Sequence, residues 1–195
     1  VTVTVEQVTE PAQAEKLLSL WREADHVALI ALPDLTGVSV VCGTGEDTAV
    51  TAELFFSKYQ GDWNALLTAL FSADIKKVSH NVKDLMRTLL ESGLPAEGFI
   101  FDTALAGYLL DYYNEELPKP LYLEQDAFSL LGDPAAAEAS LDSYAAAVNA
   151  LYETLTAKLR EKGLWDLLRA VELPLCPVLA EMERAGMLVE RRALA

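Results

Sequence analysis

Valine alternates with polar residues from Val1 to Val5, and Val3, Val5 and Val8 predict a short strand. Thr9-Glu10-Pro11 then opens a helix carrying Ala14, Leu17, Leu18 and Trp21, with proline near the first helical position, where its missing donor is no loss. The run His26-Val27-Ala28-Leu29-Ile30-Ala31-Leu32 is apolar without interruption and stops at Pro33-Asp34. Such a run predicts a strand covered on both faces, as in the middle of an α/β sheet. Residues 36–42 and 48–56, parted by Gly43-Thr44-Gly45, read as two further adjacent strands.

After Gly61-Asp62 the period becomes helical, with Trp63, Leu66, Leu67, Leu70 and Phe71 on one stripe. A short strand at 76–79 and a helix at 81–92 follow, the helix ended by Gly93 and Pro95. From Phe101 on the pattern predicts helices only, at 101–110, 121–131, 139–159 and 173–182, with a proline-containing break at 115–120. The alanine-rich stretch 133–147 suits helix formation. Strands with interleaved helices, then helices alone, predict an α/β fold with a mixed central sheet flanked by helices.

Composition narrows the partners. With 195 residues, 52% of them apolar, the chain can bury a core of ordinary size, yet no apolar run approaches the roughly 20 residues that cross a bilayer. The N-terminal stretch lacks the basic start and apolar block of a secretory signal. Thirty acidic against 15 basic side chains give a net charge of -15, which repels phosphate backbones and argues against tight autonomous DNA binding. Cys42 and Cys176 lie far apart with no CxxC or Cys/His neighbourhood, and read as small buried hydrophobes of a reducing, cytoplasmic compartment. Lys76, Lys77, Lys83 and Arg87 gather around one strand-to-helix junction, the candidate for any nucleic-acid contact. The plain alternative is that they solvate the surface of an acidic protein.

Ser79-His80-Asn81-Val82-Lys83-Asp84-Leu85, and some fifteen residues later Phe101-Asp102-Thr103-Ala104-Leu105-Ala106-Gly107-Tyr108-Leu109-Leu110, resemble the 3′-to-5′ exonuclease domain of bacterial DNA polymerase I. Tyr144-Ala145-Ala146-Ala147 is similar to the start of that family's third exonuclease motif. Glu172-Leu173-Pro174-Leu175-Cys176-Pro177-Val178-Leu179-Ala180-Glu181-Met182-Glu183 resembles the helix by which the family passes into its polymerase domain. The resemblance implies a ribonuclease H-like exonuclease fold and a bacterial protein of DNA replication and repair. It also implies an exonuclease-like domain over residues 1–170 and the start of a polymerase domain over 171–195. The implied partners are the polymerase domain of the same chain and, through the longer protein, DNA; no membrane is implied.

In that family four carboxylates hold two divalent ions, one activating water and the other stabilising the leaving oxygen. Two lie on the first core strand, one follows the Asn-x-Lys motif, and one lies four residues beyond the motif tyrosine. Here the core-strand positions fall within Leu29-Ile30-Ala31-Leu32, apolar in either register. Asn81 and Lys83 match the second motif, but its acidic position is Leu85, with Asp84 one residue earlier. One residue is about 100° around a helix, so Asp84 is expected to point away from a metal. Tyr144 matches the third motif, and four residues on stands Val148, with the neutral amide of Asn149 beside it.

The resemblance thus implies a silent exonuclease domain with no metal of its own, retained as support for the polymerase domain. Two alternatives stand beside it. One is a working two-metal proofreading exonuclease, with Mg²⁺ or Mn²⁺ on the shifted carboxylates Asp34, Asp84 and Asp102. The other is an independent interaction module on the same scaffold. Asp34 also reads as an ordinary turn residue and Asp102 as a helix N-cap. His26 and His80, the two histidines, are too few for a His-rich metal site, and the serines lie in no nucleophile motif. Tyr112-Tyr113 reads as packing at a helix end rather than as a base-stacking platform.

Overall fold

The computed structural model describes residues 2–45, 48–112 and 134–193. The elements run β1 (Thr2–Val8), α1 (Pro11–Glu23), β2 (Val27–Ala31), β3 (Gly37–Gly45), β4 (Thr48–Phe55), α2 (Trp63–Leu70), β5 (Lys77–Ser79), α3 (Val82–Glu91), β6 (Phe99–Asp102) and α4 (Thr103–Tyr112). After the break come α5 (Pro134–Glu161), the single turn α6 (Trp165–Leu167), a π-helical turn at Leu168–Glu172, and α7 (Leu173–Ala193). The predicted break at 115–120, the predicted helix at 121–131 and the side chains of Tyr112 and Tyr113 lie outside the described residues. No helix among the described residues is long and apolar enough to cross a membrane.

The strands form one mixed sheet in the order β1-β4-β3-β2-β5-β6. β3 is antiparallel to both β2 and β4, while β1 runs parallel to β4 and β5 parallel to β2 and β6. The uninterrupted run in β2 finds its expected place: Val27, Ala28, Leu29 and Ile30 are all buried. Val27 and Leu29 pack with Trp21, Leu67 and Leu70 on the α1 and α2 side. Ala28, Ile30 and Leu32 pack with Phe101, Leu141, Ala145 and Val148 on the α4 and α5 side. The strand period of two sends alternate residues to opposite faces, so Ile30 and Leu32 share one face and Leu29 the other.

Local signals set the helix starts. Asp62 accepts from the Ala65 backbone (3.0 Å) to cap α2, and a capping box between Glu10 and Gln13, with Pro11, starts α1. The reading of helices only from Phe101 needs correction, because Phe99–Asp102 is a strand before α4 begins at Thr103. Four residues are too few to display a period, and parallel pairing with β5 decides their state.

Both cysteines are free and buried. Cys176 joins Ala180 of α7 against Val82 and Met86 of α3, a small third cluster that fixes α7 to the domain.

Candidate functional site

An open cleft of about 320 Å³ lies where β2 and β5 end and α3 begins; Ile30, Leu32, Ser79, His80, Asn81, Asp84 and Leu85 line it. Its apolar floor follows from the sheet, because Ile30 and Leu32 point to the face that also holds Val148. Val148 is fully buried on α5, one helical turn after the half-buried Tyr144. Leu85, half-buried, leans the other way onto the α1 and α2 cluster while still bordering the cleft.

The polar rim is organised by Asp102. Its carboxylate accepts from the backbone N–H of Asn81 (2.9 Å) and Val82 (3.0 Å) at the start of α3. It also accepts from Ala104 (2.9 Å) and Leu105 (3.4 Å) at the start of α4. One buried side chain therefore caps two helices. Burial pushes its carboxyl above the ordinary range, against the four backbone donors that favour the ionised form. The tie also holds Asn81 in the left-handed region, φ 58°, where its amide donates to Asp84 Oδ2 at 2.7 Å.

The candidate carboxylates are not brought together. Asp34 sits in the β2–β3 turn, exposed, accepting from the backbone N–H and hydroxyl of Thr36 (3.1 and 2.6 Å). Asp102 lies beneath the two helix starts. Asp84, expected to point away, instead borders the cleft, because the opening lies across the first turn of α3 rather than on one narrow face. It is the one carboxylate among the described lining residues. Mg²⁺ and Mn²⁺ call for several hard oxygen ligands, and among the described residues no group of three or more His, Cys, Asp or Glu is placed to hold a metal.

The supposed basic patch is also dispersed. Lys76 is exposed, but Lys77 is fully buried, its ammonium donating to the carbonyls of Ser72 (3.0 Å) and Ile75 (2.6 Å). It lies 5.9 and 5.4 Å from the ring centres of Phe71 and Phe99. Burial lowers its pKa to about 7, against Glu97. Gly98 (φ +77°) closes this pocket, where a Cβ would collide with the carbonyls of Ile75 and Ser72. Lys83 and Arg87 reach across to α7 instead, pairing with Glu183 at 2.8 and 3.1 Å. No sequence signal pointed to Glu183, which is 96 residues from Arg87.

His26 packs against Tyr152 with ring centres 4.5 Å apart and the planes tilted by 56°, and burial lowers its pKa against Asp25 and Glu153. His80 borders the cleft with Nδ1 at 2.8 Å from the Thr103 hydroxyl, and burial lowers its pKa to about 4. Between pH 6.5 and 4 the unfolded chain therefore binds a proton that the folded chain refuses, and stability falls as pH falls through that window. Urea unfolding at pH 7 and pH 4 should show the wild type losing about 2 kcal/mol more than His80→Gln. Equal losses would mean that folding does not lower the His80 pKa, the imidazole taking up its proton as readily in the fold as in the unfolded chain.

No protein-family profile matches the chain. It is 31% identical over 179 residues to DNA polymerase I of Mycobacterium leprae (strain TN), a match that takes in 83% of this chain and 19% of the relative. It thus spans about a fifth of that relative's length. The fold is similar to the POL domain of Pol1 from M. smegmatis in complex with DNA primer-template and dNTP, with TM-score 0.70 and 25% identity over 93% of this chain and 32% of that one. It is also similar, in fold alone at 14% identity, to Escherichia coli RNase D, an exoribonuclease involved in structured RNA processing, with TM-score 0.59 over 91% of this chain and 50% of the other. In sequence the chain belongs with DNA polymerase I, of which it matches about a fifth, and its fold is the ribonuclease H-like one.

Proposed function

We propose that this chain is the exonuclease-like domain of a DNA polymerase I, that it is catalytically silent, and that it serves as structural support for the polymerase domain in DNA replication and repair. The observation that carries the reading is the apolar filling of the motif positions. In this reading Ile30 on β2, Leu32 just beyond it, Leu85 on α3 and Val148 on α5 occupy the positions where two-metal hydrolysis needs carboxylates. Without ions, clustered carboxylates raise one another's pKa and weaken the fold, whereas each buried aliphatic side chain stabilises it by roughly 1.5–3 kcal/mol.

Residues 1–170 are the exonuclease-like domain in this reading, and 171–195 open the polymerase region. The docking of α7 on α3 supports the bracing role: apolar contacts at Cys176 and Ala180 are backed by the Lys83–Glu183–Arg87 ion pairs. Lys83, a motif remnant, is thereby engaged in holding α7. The working-exonuclease alternative needs Asp34, Asp84 and Asp102 around one centre, and the engagement of Asp34 with Thr36 and of Asp102 with two helix starts speaks against it.

Calorimetry with Mn²⁺, paired with degradation of a single-stranded 3′ end in the same buffer, tests the silent site. The expected result is neither binding heat nor shortening. Two ions bound tightly, with loss of 3′ nucleotides, would restore the exonuclease.

A further inference from the structure

The two edges of the sheet are finished differently. β6 is four residues long, ends in the buried Phe101 and Asp102, and runs straight into α4. β1, at the other edge, is seven residues long and pairs with β4 from Thr2 to Val8 without a bulge. Among the described residues no strand lies on its outer side. It contains neither proline nor lysine, so it lacks the usual devices that close an edge strand to further pairing. Both flanks of this edge are bare as well. Val8 faces α1, and alternation along the strand puts Val3 and Val5 on the opposite face, where they are 47% and 48% exposed because α5 packs over β2 and β3 instead. On the α1 face, Leu17, Leu20 and Val50 line an open groove of about 480 Å³, together with Glu6, Glu23 and Lys16.

We propose that β1 is a docking edge for an extended segment of another protein, in which lysine or arginine alternates with apolar residues and which adds a seventh strand to the sheet. The open backbone groups of β1 supply the pairing, and the two flanks supply the selection. An added strand would send alternate side chains to the two faces. Apolar side chains on one face would cover Val3 and Val5. Basic side chains on the other would lay their stems along Leu20 and Val50 and carry their charged ends to Glu6 and Glu23. Charge selects this occupant. Glu6 and Glu23, with Glu53 next to β1 through its hydrogen bond from Gln7, outnumber Lys16 at this edge. A net charge of -15 draws a basic partner and opposes the pairing of β1 with the β1 of a second copy. The contact does not depend on whether the exonuclease site is silent.

The test uses the full-length polypeptide encoded by the gene and a fluorescent peptide of alternating lysine and valine, followed by anisotropy at physiological salt. Micromolar binding is expected. Glu6→Lys with Glu23→Lys should weaken it roughly tenfold or more, whereas Glu91→Lys with Glu153→Lys, an equal change of net charge at exposed sites on other elements, should leave it within about twofold. The same peptide methylated on alternate backbone nitrogens, which can no longer pair as a strand, should also bind roughly tenfold or more weakly. Absence of binding overturns the proposal. Equal losses in the two double variants overturn it by showing general attraction to an acidic protein, and undiminished binding of the methylated peptide overturns it by showing that no strand is added. Sedimentation of the polypeptide alone decides the remaining case: a dimer that Val5→Lys dissociates would assign the edge to a second copy and overturn the proposal.

Discussion

Replacing Asp102 by alanine should lower the free energy of unfolding by about 4 kcal/mol. Its value lies in accepting four backbone donors, two at the start of α3 and two at the start of α4. Loss of an ordinary N-cap costs about 0.5–2 kcal/mol. Here two caps go at once, and in a buried place the freed N–H groups lack water as a substitute. Asp102→Asn keeps one acceptor oxygen but turns an amide donor toward backbone donors, so about half of the loss is expected. Urea unfolding at constant m-value measures both. A loss below about 1 kcal/mol in the alanine variant would show that the two helix starts do not depend on this carboxylate. A metal-ligand role makes a different forecast: Mn²⁺ would raise the melting temperature of the wild type and not of the variant.

Restoring an acid at the third motif should be still more damaging. Val148 is fully buried among Ile30, Phe101, Leu141 and Ala145, so Val148→Asp places a carboxyl in an apolar site with no basic partner in that cluster. The expected loss is about 5 kcal/mol at pH 7, whereas Val148→Ala costs only about 1–2 kcal/mol by leaving a small cavity. Burial raises the new carboxyl's pKa above its unfolded value. The folded variant then keeps its proton longer than the unfolded chain, and its stability deficit grows as pH rises through that interval. Mn²⁺ should not rescue the single variant, because Ile30, Leu32 and Leu85 still present only carbon. Ile30→Asp, Leu32→Glu and Leu85→Asp added to Val148→Asp should create a melting temperature that rises with Mn²⁺. A well-tolerated Val148→Asp would mean that the position is wet, and would undo the picture of a site filled by packing.

The proposed filled site was legible only in part. Leu85 and Val148 could be assigned because Asn81, Lys83 and Tyr144 stand at fixed distances from them along single helices, where position in sequence is position in space. The core strand offered no such neighbour, and either pair within Leu29–Leu32 was apolar. In the sheet Ile30 and Leu32 share a face with Val148 while Leu29 packs toward Trp21 and Leu67, which favours the Ile30 and Leu32 pair in the proposed reading. For Asp84 a rotation argument on one helix turned it away from a metal position; it nonetheless borders the open cleft, whose rim is wider than one helical position. The lysines around residue 80 looked like a patch because they are close in sequence. Lys77, on β5, points into the layer between sheet and helices, whereas Lys83 and Arg87, on α3, meet Glu183.

By itself the sequence determined what depends on neighbours a few residues away. Periods of two and of about three and a half set β1 to β4, α1, α2 and α3, because backbone geometry ties side-chain direction to the chain within a turn or a pleat. Proline and acidic caps placed the helix starts, and apolar letters stand at the positions that the resemblance aligns with the family's carboxylates. Tertiary structure alone decided whatever depends on groups distant along the chain. Pairing with β5 made a strand of Phe99–Asp102. Asp102 became the cap of two helices because β6 ends beside the start of α3. Among the described residues α3 takes one face of α7 and the other is exposed. Burial and long-range hydrogen bonds are properties of the packed chain, and no local pattern encodes which distant group will arrive.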